Sequence, residues 1–236
     1  MRSVPVAIPE YSATLTSRRA RVVTMAKNAT PMPDAELAAH IGYRRSVRRY
    51  RPASISRDVV ERLLTAASSA PSAHNKQPWR FVVLDTFDSR HTLARAMGRK
   101  LRLDRTADGD ASESIEADID RSYQRITQAP VAIVLCVDMH DMDHYRDQAR
   151  NDAEYLMAVQ STAMAGQNLL LAARAEGLGA CVMCAPLFCP DVVIESLQLP
   201  RQWRAQMLVT IGEPATPAKE RPRLPLDQVT QWRSRQ

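Results

Sequence analysis

Two stretches of this 236-residue chain, separated by one amphipathic helical pattern, decide its fold. They read Arg44-Arg45-Ser46-Val47-Arg48-Arg49-Tyr50 and Ala70-Pro71-Ser72-Ala73-His74-Asn75-Lys76-Gln77-Pro78-Trp79. The first groups arginines around a serine. Arginine forks and a hydroxyl suit a phosphate monoester, which carries about −1.5 to −2 charges near neutral pH. The first stretch therefore predicts a phosphate site, although a solvated basic turn has the same composition.

In extended backbone alternate residues share a face, so only one set of side chains from the first stretch can line a pocket. Arg44, Ser46 and Arg48 form one such set. The second stretch offers donors and acceptors suited to the edge of a heteroaromatic ring, on Ser72, Asn75 and Gln77. The alternative for these three is that they only close the loop through backbone hydrogen bonds.

Two later stretches complete the pattern: Gly177-Leu178-Gly179-Ala180-Cys181-Val182-Met183-Cys184-Ala185-Pro186-Leu187 and Lys219-Glu220-Arg221-Pro222-Arg223. In this order the four stretches resemble the signature of the nitroreductase family of flavin mononucleotide (FMN) enzymes. The third is similar to the family's G-L-G-x-C-W stretch, with Val182 where tryptophan is common. The fourth is similar to its K-x-R-x-P pattern.

The resemblance implies an α+β nitroreductase-like fold, with a mainly antiparallel sheet flanked by helices. The long helix predicted over residues 151–176 would lie at the centre of a homodimer. The tail after Gly212 would be swapped onto the partner subunit, and each FMN would lie at the subunit interface. The implied domains are a disordered arm (1–32), an FMN-binding domain (33–212) and the extended tail (213–236). The arm can also be read as an overlong start.

The resemblance also assigns cofactor-binding residues. Those for the phosphate are Arg44, Ser46, Arg48 and Arg223, and Arg45 and Arg221 are assigned to the cofactor as a whole. Those for the ring are Ser72, Asn75 and Gln77, together with backbone amides near Ala185, Pro186 and Leu187. The hydride chemistry belongs to the cofactor, so the scheme names no catalytic acid or base.

The implied activity is ping-pong hydride transfer from NAD(P)H, through FMN, to a small nitroaromatic, quinone or flavin-like acceptor. The segment 99–125 is expected to cover the flavin and to set the choice of acceptor. Its cations could attract an anionic substrate or simply be solvated. The middle of the chain also resembles the reductase domain of deazaflavin-coenzyme glutamyl ligases. A flavin-cleaving enzyme and a non-catalytic flavin-binding module stay open as alternatives.

Composition argues against several other classes of protein. Residues 1–50 hold nine cations and three acids, which accounts for the whole net charge of +6. This positive charge lies in an arm and one motif instead of on a broad face, so we do not expect nucleic acid as a partner. No apolar run is long enough for a membrane span. The four cysteines, without a secretory signal, favour a reducing, cytoplasmic location. Three of them (Cys181, Cys184 and Cys189) could bind zinc only with a distant fourth ligand, so no metal is expected.

Periodicity and end signals predict the elements between these motifs. Ser56 is expected to cap the helix that joins the first two stretches. A polar connection is expected over 98–111. The predicted helices are 34–42, 57–70, 88–97, 112–128, 151–176 and 190–197, and the predicted strands are 79–84, 131–137, 180–183 and 205–211.

Overall fold

The computed structural model describes residues 34–233, and the arm predicted over 1–32 lies outside them. Its helices are α1 Asp34–Gly42, α2 Arg57–Ser68, α3 Phe87–Ala107, α4 Ser112–Thr127, α5 Gln148–Ala175, α6 Pro190–Ser196 and α7 Leu226–Val229. Its strands are β1 Trp79–Leu84, β2 Val131–Asp138, β3 Gly179–Met183 and β4 Trp203–Gly212. Short 3-10 turns occupy Ala73–Asn75 and Ala185–Phe188.

The four strands form one antiparallel sheet in the order β1-β2-β4-β3. All eight residues of β2 are buried, and seven of them form the apolar run 131–137, which predicts a strand covered on both faces. Helices α2 and α5 pack on one face and α3 and α6 on the other. The α+β prediction is therefore confirmed.

Local end signals position α2 and α5. Ser56 Oγ accepts a hydrogen bond from the N–H of Val59, 3.4 Å away, which confirms the predicted N-cap. Helix α5 ends at Ala175 and is followed by Gly177, whose φ of +73° is a left-handed conformation that suits glycine. The N–H of Leu178 then donates to Ala173 O at 2.8 Å, and the chain turns directly into β3.

The predicted break near Gly98 is wrong. Helix α3 continues through this glycine to Ala107, and the polar connection shrinks to a few residues before α4. A Cβ at Gly98 would lie 3.1 Å from Ile119 Cγ2 of α4. The missing side chain lets the two helices pack closely, and this contact outweighs the low helix propensity of glycine.

Helices α3 and α4 form a hairpin that contains segment 99–125, which the sequence predicts to cover the flavin. Its cations are paired with its own acids, since Arg102 binds Glu116 at 2.6 Å and Arg105 binds both Asp110 and Asp118. Arg121 also pairs with Asp118. The cations that could have attracted an anionic substrate are thus largely neutralised within the hairpin.

None of the helices described in residues 34–233 is long and apolar enough to cross a membrane. The same residues contain no cluster of three or more histidine, cysteine or acidic side chains that could hold a metal ion.

Candidate functional site

The basic first stretch lies along the edge of the sheet, beside the start of β3. Ser46 forms a parallel bridge with Ala180, and the N–H of Val47 donates to Ala180 O at 3.0 Å. Further on, Tyr50 bridges Pro214, just beyond the end of β4. This extended segment thus ties the edge strand to the beginning of the C-terminal tail.

Two paired glycines make this close approach possible. Gly179 of β3 and Gly212 of β4 lie opposite each other in the sheet. A Cβ at Gly179 would meet Val47 at 2.6 Å, and one at Gly212 would meet Tyr50 at 2.7 Å. The basic segment therefore crosses the sheet edge where neither strand has a side chain. This explains the second glycine of the G-L-G stretch physically.

A buried tyrosine anchors the far end of the segment. The Tyr50 hydroxyl lies 2.6 Å from Val47 O and 2.8 Å from Thr210 Oγ1. Burial raises the pKa of Tyr50 above its ordinary value, so the hydroxyl keeps its proton and acts as a donor. Burial likewise raises the pKa of the Cys181 thiol, while Arg48 beside it lowers that pKa.

The first and fourth stretches enclose one cavity of about 440 Å³. We call this cavity, with its lining, the cradle. It is lined by Arg44, Arg45, Ser46, Val47, Arg48, Arg49, Thr216, Pro217, Ala218, Lys219, Arg221 and Arg223. Among residues 34–233, Arg45 is the one cradle cation that lies within ion-pair distance of a carboxylate. The four residues predicted to bind phosphate are therefore brought together, and Arg45 and Arg221 line the same cavity.

The cradle also contains residues that the sequence prediction left out. Lys219 and Arg49 line it, although neither was assigned to the site. Lys219 opens the K-x-R-x-P pattern, so its position in that motif was the available signal. Arg49 carried no such signal, because strict alternation places it on the face opposite Arg48.

The second stretch forms a strained loop before β1. His74, Asn75 and Gln77 have φ values of 48°, 54° and 49°, which non-glycine residues rarely adopt. Such strain costs roughly 1–3 kcal/mol per residue and tends to occur at functional sites. Two anchors hold the loop: the N–H of Ala73 donates to Ser161 Oγ of α5, and Lys76 Nζ binds Asp143 at 2.9 Å.

Some of the polar groups of this loop bond to each other, as expected if these residues serve to close the loop. Ser72 Oγ accepts a hydrogen bond from the N–H of Gln77 at 3.1 Å. The Gln77 amide lies 3.3 Å from Asn75 Oδ1, and both of these side chains are exposed. Asn75 and Gln77 therefore keep capacity for a ligand, whereas Ser72 already holds the turn.

The loop and the cradle lie at opposite corners of the sheet. The loop enters β1 at Trp79, which pairs with Val137 of β2. Val137 in turn pairs with Arg204, near the start of β4. The cradle adjoins Ala180, which pairs with Ile211 near the end of β4. The two corners are three strand spacings of about 4.8 Å apart across the sheet and seven residues of about 3.3 Å apart along it. The distance between them is therefore roughly 25 Å. The two predicted halves of the site do not meet within one chain.

The third stretch leads away from the cradle on the same edge. From Ala180 to Met183, the last residue of β3, the chain covers about 10 Å at strand rise, and it then turns at Cys184 into Ala185. The N–H of Leu187 donates to Cys184 O at 3.0 Å, and Pro186 has no N–H. Within residues 34–233, the Ala185 N–H is thus the one amide of the three that remains available to a ligand.

Comparison with known proteins settles the family. Residues 41–213 match the model of the Nitroreductase family, which is well over half of the chain. The chain belongs to the nitroreductase family. As a member of that family it is an oxidoreductase, so the predicted family, fold and enzyme class are confirmed.

Three relatives of this nitroreductase-family chain illustrate its range. An NADH dehydrogenase of Thermus thermophilus is 31% identical over 227 residues, covering 86% of this chain and 98% of its own. A 5,6-dimethylbenzimidazole synthase of Rhodospirillum rubrum is 32% identical over 206 residues, covering 84% and 90%. The crystal structure of a putative nitroreductase in complex with FMN from Desulfovibrio desulfuricans has a TM-score of 0.65 at 24% identity, covering 87% of this chain and 99% of that one.

Proposed function

We propose that this protein is an FMN-dependent NAD(P)H oxidoreductase that reduces a small aromatic acceptor such as a nitroaromatic, a quinone or a flavin. The observation that carries the proposal is the cradle, where cations from two distant stretches surround one cavity. A phosphate monoester of about −1.5 to −2 charges would neutralise about two of them and accept forked hydrogen bonds from the arginines.

The residues beside the cradle fit the remainder of FMN. With its phosphate in the cradle, the cofactor would extend along the edge of β3 towards Ala185. The available Ala185 N–H would donate to the ring. Leu187 is half exposed and Phe188 is 80% exposed, so both offer apolar surface at this end. When bound, FMN supplies the hydride chemistry, and the chain binds and orients the reactants.

A second copy of the chain would complete the site. Because the polar loop lies roughly 25 Å from the cradle, Asn75 and Gln77 can reach a flavin in the cradle only from a partner subunit. Helix α5 has exposed apolar residues, among them Leu156 and Met164, at 55% and 39% exposure. A homodimer built on α5 would cover this face and bring each loop to the partner's cradle.

The tail supports the same assembly. Its first part packs on its own chain, since the N–H of Ala215 donates to Arg49 O at 3.0 Å. This differs from the expectation that the whole tail leaves the body. Beyond the cradle, Leu224, Leu226, Val229 and Trp232 are 61–81% exposed. Burial of such side chains is favourable by about 1.5–3 kcal/mol each, which favours a partner surface.

Visible spectroscopy under anaerobic conditions tests the activity. We expect the purified protein to show flavin absorbance that bleaches with NADPH or NADH and returns when a quinone or nitroaromatic is added. Initial rates should give parallel double-reciprocal lines, because the two substrates would use one open face in turn. A protein that binds FMN without bleaching would be a flavin-binding module or depend on a deazaflavin. A protein that does not bind FMN would disprove the proposal.

Substitutions in the cradle test the site. Arg48→Ala and Arg223→Ala should each weaken FMN binding roughly ten- to a hundredfold, since a lost charge-assisted contact costs about 1.5–3 kcal/mol. Binding of riboflavin, which lacks the phosphate, should hardly change. Arg57→Ala is the matched control, because Arg57 lies on α2 and forms an exposed pair with Glu61, away from the cradle. Light scattering should show a dimer, and a folded monomer would exclude the shared site.

The relationship to two 5,6-dimethylbenzimidazole synthases, each 32% identical, supports a second candidate. This is a flavin-cleaving activity at the same cradle. Incubating the reduced, FMN-loaded protein with oxygen and analysing the products by mass spectrometry separates the two candidates. Formation of 5,6-dimethylbenzimidazole would establish the synthase. Intact FMN with rapid turnover of an added quinone would establish the reductase.

A further inference from the structure

Arg45 differs from the other cradle cations in its contacts. One terminal nitrogen of its guanidinium donates to Gly42 O, at the end of α1, and to Arg44 O at 3.1 Å. The other donates to Glu220 Oε1 at 3.0 Å. The side chain of Arg45 is only 22% exposed. These contacts join the tail to the turn that follows α1 and use three of the five N–H donors of Arg45.

The charged side chains of the tail point alternately towards and away from the cradle over residues 219–223. Lys219, Arg221 and Arg223 line the cradle, whereas Glu220 is absent from its lining and is turned towards Arg45. Extended backbone sends alternate side chains to opposite sides. The orientation of Glu220 therefore fixes the orientation of its two basic neighbours.

Little else fixes this part of the tail. Among the described residues, the pair of Arg45 and Glu220 is the one hydrogen-bonded contact between residues 216–225 and the body of the protein. Ala218 adds a small apolar contact with the cluster around Val47. Without the ion pair, Lys219, Arg221 and Arg223 would sample many orientations, and ordering them on binding would cost conformational entropy.

We propose that Arg45 and Glu220 form a positioning clamp that holds the basic residues of the tail over the cradle. Arg45 then acts through Glu220 instead of contacting the cofactor, which revises its predicted role as a cofactor-binding residue. This inference rests on the proposed function, because it concerns how the cradle selects a phosphorylated flavin. The clamp raises affinity for FMN by ordering Lys219, Arg221 and Arg223 beforehand.

The experiment compares binding of FMN and riboflavin to the full-length protein, freed of flavin, by flavin fluorescence. The variants are Glu220→Gln, Arg45→Glu and the exchange Arg45→Glu with Glu220→Arg, which keeps the net charge. Glu61→Gln is the matched control, because it breaks an exposed pair with Arg57 at 2.8 Å, away from the cradle. The melting temperature of each variant confirms that it is folded.

We expect Glu220→Gln to weaken FMN binding about two- to fivefold, in keeping with the modest strength of an exposed ion pair. Arg45→Glu should weaken it further, and the exchange should restore it to within about twofold. Riboflavin binding should stay constant throughout, since the clamp orders only the phosphate end. A general loss of folding would instead weaken both ligands together.

Three results would overturn the clamp. Unchanged FMN binding in Glu220→Gln would show that the pair positions nothing. Tighter binding in Glu220→Gln would show that Glu220 competes with phosphate for Arg45. No recovery in the exchange would show that Arg45 itself contacts the phosphate. In each case the wild type still binds FMN, so the proposed function survives. A wild type that binds neither flavin would disprove the function as well.

Discussion

Replacing Gly179 with alanine should displace the basic segment from the sheet. The new Cβ would lie 2.6 Å from Val47 Cβ and Cγ2, whereas ordinary contacts begin near 3.4 Å. The segment must therefore move by at least about 0.8 Å. Val47 cannot turn away, because its branched side chain is restricted at χ1 and its own Cβ is part of the clash.

The displacement has two consequences that can be measured separately. Overpacking of this kind costs about 1–3 kcal/mol, which corresponds to a fall in melting temperature of roughly 2–12 °C for a chain of this size. The hydrogen bond from the N–H of Val47 to Ala180 O, now 3.0 Å, would lengthen. Ser46 and Arg48 would move with it, so FMN affinity should fall roughly tenfold or more.

Thermal unfolding and fluorescence titration with FMN measure the two effects. Gly42→Ala is the matched control, because a Cβ at Gly42 would meet nothing within 4 Å. We expect the control to bind FMN normally. If Gly179→Ala matched the control in both melting temperature and FMN affinity, the close approach of Val47 to β3 would not be what locates the cradle.

Three further predictions concern stability and reactivity. Ser56→Ala removes the N-cap of α2 and should cost about 1 kcal/mol in the free energy of unfolding, without changing flavin binding; chemical denaturation measures it, and a negligible loss would refute the cap. Native protein should show one fast thiol with Ellman's reagent, the exposed Cys184, because burial raises the pKa of Cys136 to about 12; a fast reaction that persists in Cys184→Ser would contradict this. Arg102 lowers the pKa of Glu116, so the pair stabilises the fold above pH 4.5, and that contribution is lost as the pH falls through the lowered pKa. The melting temperature of Glu116→Gln should therefore lie below that of the wild type at pH 7 and converge with it in acid, and a constant difference would argue against the pair.

Local signals in the sequence were sufficient for most of the elements. The cap at Ser56 and the unbroken apolar run of β2 each depend on a few neighbouring residues, and both are found as predicted. Gly98 failed as a helix-end signal because its effect depends on Ile119, a residue from another helix. A local pattern cannot report a contact between elements that are distant in sequence.

The family and most of the cations of the cradle were also available from the sequence. The arginines around Ser46 and the later K-x-R-x-P pattern both indicate phosphate binding from sequence alone. Charge and hydrogen-bonding groups belong to the residue types, so this inference does not need the structure. Only the folded chain shows that the two stretches meet, through the bridge between Tyr50 and Pro214 and the ion pair between Arg45 and Glu220.

The tertiary structure alone decided what each member of a motif contacts. Arg45 is an arginine like Arg44 and Arg48, yet its side chain binds Glu220, 175 residues further along the chain. Asn75 and Gln77 have the donors a flavin needs, yet they lie at the corner of the sheet opposite the cradle. The sequence by itself thus determined the chemistry that each stretch can perform, because that chemistry resides in the side chains. Where the stretches meet depends on strand order, register and close approach, which arise only when distant parts of the chain pack together.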